Sequence, residues 1–223
     1  MRILLTLAAF LCAAAPAAAQ HNHGGHGAEV KGTGRLPDGW NARIDNQPAN
    51  SALDRLNLMQ MSANSLHAQM GAANAIFWNP KYTVTGEFEA SATFRQSKPP
   101  AHHPEGYGLV FNGSNLDKDN QSYVYFLVKD GQFLINHRAG AEVHKIVPWT
   151  AHAAIVKPDA SGKAENTLAV KVVGKDVLYL VNGQVVQRHD RDYMKPDGTV
   201  GLRVNMHLDV LIDNFKVTST AAK

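Results

Sequence analysis

Asp130-Gly131 separates two runs rich in β-branched and aromatic residues, 123–129 and 132–138. An Asp-Gly pair accepts the positive φ angles of a two-residue type I′ turn, whose twist matches that of the strands it joins. Such a turn fixes the register. Val128 falls opposite Phe133, Phe126 opposite Ile135, and Val124 opposite His137; slipping by one residue would turn every side chain over. That face is apolar and reads as the core side. The other face sets Tyr125 across from Asn136 and Tyr123 across from Arg138. Two tyrosines beside an amide and a guanidinium form a platform able to stack on, and hydrogen-bond to, a polar ligand.

A second pair, Asn182-Gly183, repeats the device between 177–181 and 184–187. It sets Leu180 opposite Val185 and Tyr179 opposite Val186. The stretch 86–96 alternates strictly, with Phe88, Ala90, Ala92 and Phe94 on one side and Glu87, Glu89, Ser91, Thr93 and Arg95 on the other, as in a half-buried antiparallel strand. Further short runs at 54–61, 65–70, 75–78, 108–111, 166–173, 199–205 and 209–218 are bounded by turn residues. Trp40 reads as a core anchor, 41–50 as polar and irregular, and Trp149 as part of an edge segment. No sustained 3.6-residue apolar period with caps is present, so helix content should be low. Many short strands at regular spacing predict an all-β, two-sheet antiparallel sandwich.

Residues 1–19 read as a signal peptide: Arg2, an apolar run, then Ala17-Ala18-Ala19 as a small-residue cleavage site. Cys12, the single cysteine, lies within it, so the processed chain would have neither disulfide nor thiolate chemistry. Residues 20–34 are Gly- and His-rich without periodicity and are expected to be a disordered tail. The expected domain is then 35–219, secreted or periplasmic, with no transmembrane segment. The net charge of +3 is spread thinly. Nucleic acid needs a concentrated basic stripe and is not an expected partner. Nothing in the pattern specifies an oligomeric state.

His21, His23 and His26 are candidate metal ligands, since neutral imidazole binds transition metals. His102, His103 and Glu105 lie in a proline-rich loop and could bind metal or serve as acid and base. Asp117 and Asp119 offer oxygen donors without the ordered spacing of a calcium loop. His189-Asp190-Arg191-Asp192 is polar and unspecific. No cofactor is required by this reading, and neither Ca²⁺ nor a transition metal is supported by ligand spacing. Arg203, Asn205 and His207 make a second same-face polar row. No phosphate-cradling glycine loop or Gly-x-Ser-x-Gly elbow occurs.

Taken in order, Tyr107-Gly108-Leu109-Val110-Phe111, Tyr123-Val124-Tyr125-Phe126, Gly131-Gln132-Phe133, Trp149, Asn166-Thr167-Leu168-Ala169-Val170, Leu180-Val181-Asn182-Gly183-Gln184, Gly198-Thr199-Val200-Gly201-Leu202 and Ile212-Asp213-Asn214-Phe215 resemble successive strands of the concanavalin A-like lectin/glucanase (laminin-G-like) jelly rolls. Within that group the chain is similar to exported bacterial domains grouped with the 3-keto-disaccharide hydrolases. The resemblance implies a jelly roll and a carbohydrate ligand. Glucanases of this fold carry Glu-x-Asp-x-x-Glu on one strand, and that string is absent here. Glu87 and Glu89 come nearest. Residues two apart on a strand lie about 6.5–7 Å apart, wider than the about 5–5.5 Å of retaining glycosidases. Glu87, Glu89 and His103 are therefore candidate catalytic residues. Tyr123, Tyr125, Asn136, Arg138, Arg203 and Asn205 are candidate ligand-binding residues. The expected function is carbohydrate recognition; a related glycoside hydrolase and a structural or protein-binding module of the cell envelope are the alternatives.

Overall fold

The computed structural model describes residues 30–98 and 103–219. The expected signal peptide, His21, His23, His26 and His102 lie outside the described residues. Contacts of the fold begin before residue 35: the Gly32 amide donates to the Asp54 carbonyl at 2.7 Å and the Thr33 amide to Asn57 Oδ1 at 2.8 Å.

The architecture is a sandwich of two antiparallel seven-stranded sheets. In chain order the strands are β1 (Asn41–Ile44), β2 (Leu56–Ser62), β3 (Ser65–Met70), β4 (Ala75–Val84), β5 (Phe88–Gln96), β6 (Tyr107–Ser114) and β7 (Ser122–Lys129), then β8 (Gln132–Ala139), β9 (Glu142–Ala151), β10 (Ala164–Val173), β11 (Asp176–Val181), β12 (Gln184–Asp190), β13 (Gly198–Val204) and β14 (Asp209–Ser219). The first sheet runs β1-β4-β13-β6-β7-β8-β9, and the second β12-β11-β10-β5-β14-β3-β2. One helical turn, α1 (Arg191–Met194), follows β12, and a 3₁₀ turn, Leu53–Arg55, precedes β2.

The first hairpin has the expected register throughout, from Lys129–Gln132 to Tyr123–Arg138. Asp130 and Gly131 both take positive φ, 42° and 76°, which is what a type I′ turn demands. Phe126, Val128, Phe133 and Ile135 are buried between the sheets. Aromatic pairs tie the two layers together: Phe94 of β5 stacks on Tyr107 of β6 at 5.2 Å, and Phe126 of β7 meets Tyr179 of β11 edge-on at 5.3 Å. Such pairs add about 0.5–1.5 kcal/mol each beyond the area they bury. Phe88, Ala90, Ala92 and Phe94 also face inward, as the alternation of β5 requires, and Trp40 is a core residue.

Four local expectations are corrected. The second hairpin keeps Leu180 opposite Val185, but a bulge follows, so Tyr179 faces Gln187 rather than Val186. A bulge adds one residue to one strand and shifts all later pairs. Residues 41–44 are not irregular; they form β1, which pairs with the buried β4 and takes its order from that partner. The strand begun at Ala75 continues through Pro80 to Val84. Finally, the row Arg203, Asn205, His207 does not exist: β13 ends at Val204, and His207 takes a φ of 60° as the chain turns toward β14.

Candidate functional site

Strand β7 is buried on both sides. Its inward residues belong to the main core, whereas Tyr123, Tyr125 and Leu127 join Ile76, Trp78, Val110, Leu116 and Leu134 in a second apolar layer on the outer face of the first sheet. Two loops fold onto that layer. From β1, the turn 45–50 brings Ala49 against it and places Asn46 Oδ1 2.9 Å from Arg138 Nη2. Between β6 and β7, the loop 115–121 adds Leu116, while Arg43 donates to the Lys118 carbonyl at 2.7 Å and to Asp119 at 3.0 Å.

Beneath these loops the candidate residues converge. Arg203 donates twice to Asp45, at 3.0 and 2.6 Å, and once to the Tyr123 hydroxyl at 3.2 Å. Its guanidinium lies 4.9 Å from the Tyr125 ring centre. Arg138 approaches Asp45 at 3.4 Å and donates to the Gly140 carbonyl at 2.9 Å. Burial by itself would raise the Asp45 pKa, but the charges of Arg203 and Arg138 and hydrogen bonds from Arg203 and Asn74 outweigh it and hold the carboxyl below its ordinary value. For Tyr123, burial dominates and pushes the phenol up to about 12. It therefore stays protonated across the physiological range.

The hairpin platform is thus divided. Tyr123 is 1% exposed and Arg138 5%, so the loops, not solvent, cover that end. Tyr125 is buried as well, at 7%, and toward β9 only Asn136 and Trp149 are half-buried. Asn136 donates its Nδ2 to the Tyr125 hydroxyl at 3.0 Å, while its Oδ1 has no partner. Trp149 packs partly buried on the same layer, and Lys129 Nζ sits 4.4 Å over its ring. Gly106 makes room for the indole, since a Cβ there would come within 3.1 Å of it. The Gly106 carbonyl accepts from the Asn205 amide, and Asn205 Nδ2 donates to Glu105 at 3.1 Å; the Asn205 Oδ1 is likewise unpartnered. Glu105 also pairs with His103 at 3.0 Å. The result is a half-buried shelf of Trp149 and Asn136, with two unpartnered amide oxygens buried beneath it.

Glu89 lies on β5 of the other sheet, and Glu87 in the bend just before it. Glu87 accepts the Gly174 amide at 2.7 Å, and Glu89 lies 3.7 Å from Lys171. No group of three or more His, Asp or Glu side chains able to hold a metal occurs among the described residues.

Sequence reasoning named Tyr123, Tyr125, Asn136, Arg138 and Arg203 but read the last as part of a separate row. It missed Asp45, whose role depends on a turn reaching across several strands, and Lys129. Trp149 was placed on an edge, and an aromatic residue on an edge beside a tyrosine-bearing hairpin was the available signal for the shelf.

No protein-family model matches this chain, and no curated protein matches it. Solved structures do. The carbohydrate-binding module CBM66 from Bacillus subtilis superposes with a TM-score of 0.56 at 10% identity, covering 83% of this chain and 99% of that one. The exoplasmic/lumenal domain of VIP36, in its Ca²⁺/Man-bound form, gives 0.53 at 10% identity, covering 83% and 84%. The carbohydrate recognition domain of Emp46p, in its metal-free form, gives 0.50 at 11% identity, covering 75% and 89%. At these identities the likeness is one of fold.

Proposed function

We propose that this chain is an exported carbohydrate-recognition domain that binds its ligand without covalent chemistry, on the shelf formed by Asn136 and Trp149 over the buried Tyr125. One observation carries the reading: Trp149, with Lys129 Nζ over its ring, and Asn136 stand half-buried above the outer apolar layer. Aromatic faces suit the C–H surface of a pyranose. Arg203, Asp45, Arg138 and Tyr123 position Tyr125 from below rather than touching the ligand. The jelly-roll neighbours described as carbohydrate-binding support the same class of ligand by analogy of fold.

The test is affinity electrophoresis on a panel of neutral and acidic glycans, with Asn136→Ala and Trp149→Ala beside the parent chain. The expected outcome is retention by at least one glycan, weakened about fivefold or more in each variant, with unchanged circular dichroism. Retention unaffected by both variants removes the shelf as the site. The alternative, a glycoside hydrolase akin to the 3-keto-disaccharide hydrolases, is settled separately: release of reducing sugar that Glu87→Gln or His103→Ala abolishes would replace recognition with catalysis.

A further inference from the structure

At the end of the sandwich, between β9 and α1, lies a cleft of about 430 Å³, within the range of small-molecule sites. Its construction is specific. Strand β6 bulges where its pairing shifts between Phe111 and Ser114, and Asn112 there takes a φ of 54°. The re-aimed Asn112 side chain donates to the Met194 carbonyl at 3.1 Å, fastening α1 over the gap. Asp190 accepts the amides of Asp192 and Tyr193, at 2.7 and 3.3 Å, and so fixes the same turn from its other end. Tyr193 stands out from this secured turn, 69% exposed.

The opposite wall is polar. Ser122 Oγ lies 2.8 Å from His137 Nε2, and the His137 ring stacks on His144 at 5.9 Å. Burial, then the neighbouring His144, holds the His137 pKa below its ordinary value. A neutral His137 contributes hydrogen bonds rather than charge. Charge comes instead from Lys195, which lines the cleft; Lys145 also borders it, but pairs with Asn136 and shares that residue's face. Among the described residues Lys195 is not paired with a carboxylate. Glu142, 3.5 Å from His144, is not a lining residue. The cleft therefore combines an exposed aromatic ring, uncharged hydrogen-bonding groups and one available cation.

We infer that this cleft is a second ligand site, which takes an acidic saccharide: its ring against Tyr193, its carboxylate or sulfate toward Lys195. This deepens the carbohydrate reading and rests on it for the sugar ring, but not for the place. His137 and Asn136 are neighbours on β8 and point to opposite faces of the sheet, so the cleft and the shelf are separate sites.

Isothermal titration of the full chain with a galacturonate oligosaccharide, a dextran sulfate oligosaccharide, neutral isomaltotriose and inorganic sulfate tests it. The expected result is binding of an acidic saccharide that weakens with salt, by about fivefold or more in Lys195→Gln, and measurably in Tyr193→Ala. The arm that binds tighter identifies the acidic group. Absence of binding to both acidic probes, an affinity within twofold of the parent in the lysine variant, or equal affinity for inorganic sulfate overturns the inference. Loss in Asn136→Ala with the cleft variants unaffected also overturns it, while leaving the shelf reading intact.

Discussion

Asp45→Asn isolates what holds the outer face together. The Arg203 side chain is 6% exposed and Asp45 20%, and their two hydrogen bonds are 3.0 and 2.6 Å long. Arg138 lies 3.4 Å from the same carboxylate. The amide has almost the shape of the acid but no charge, so the substitution leaves two buried guanidiniums uncompensated. Breaking a buried pair costs about 3–5 kcal/mol, and the partial exposure of Asp45 puts the expectation near about 3 kcal/mol. For a domain of this size that lowers the melting temperature by about 6–12 °C. Urea unfolding gives the free energy and calorimetry the shift. Adding Arg203→Met should restore part of the loss, because removing both charges leaves less uncompensated than removing one. Because the Asp45 pKa is depressed in the fold, its stabilisation is fully present above the ordinary carboxylate value and is lost as pH falls through the depressed one. Asp45→Asn should accordingly flatten the acid limb of the stability curve. A change within about 0.5 kcal/mol of the parent at pH 7 refutes the argument, since that is the range of ordinary surface substitutions.

Asp209 offers a second acid-sensitive point: burial would raise its pKa, but hydrogen bonds from His67, Gln69 and Ser97 outweigh burial and hold it at about 2. Its contribution, about 1 kcal/mol after discounting for solvent screening, is present above pH 4 and disappears between about pH 4 and 2; urea titrations in that window should show Asp209→Asn losing this dependence. Asn166, 1% exposed, bridges the Val156 amide and carbonyl, the Tyr107 hydroxyl and Asn182. Asn166→Ala leaves several buried groups unpaired and should cost about 3 kcal/mol; a loss under about 1 kcal/mol by urea unfolding would show that the 152–156 loop repairs itself.

Local chemistry was readable where a residue pattern has a single geometric solution. Asp130-Gly131 admits one compact reversal, and the pairs it sets follow by counting. At Asn182-Gly183 the same reasoning held for the nearest pairs and failed at Tyr179, because a bulge is selected by packing several residues away. Residues 41–44 gave no strand signal, since Arg43 is polar yet 5% exposed. Its burial depends on the 115–121 loop, whose carbonyls accept its hydrogen bonds.

The order of residues therefore determined the all-β class, the two tight hairpins and the inward faces of β5, β7 and β8, because alternation with a period of two and paired positive-φ residues act over a few neighbours. Tertiary structure decided that both tyrosines of the outer face are covered, that Arg203 joins Tyr123 and Tyr125 through Asp45, and that β9 and α1 enclose a cationic cleft. Those outcomes turn on groups as many as 158 positions apart. No local periodicity encodes such a meeting; it exists only once two sheets and their loops have packed.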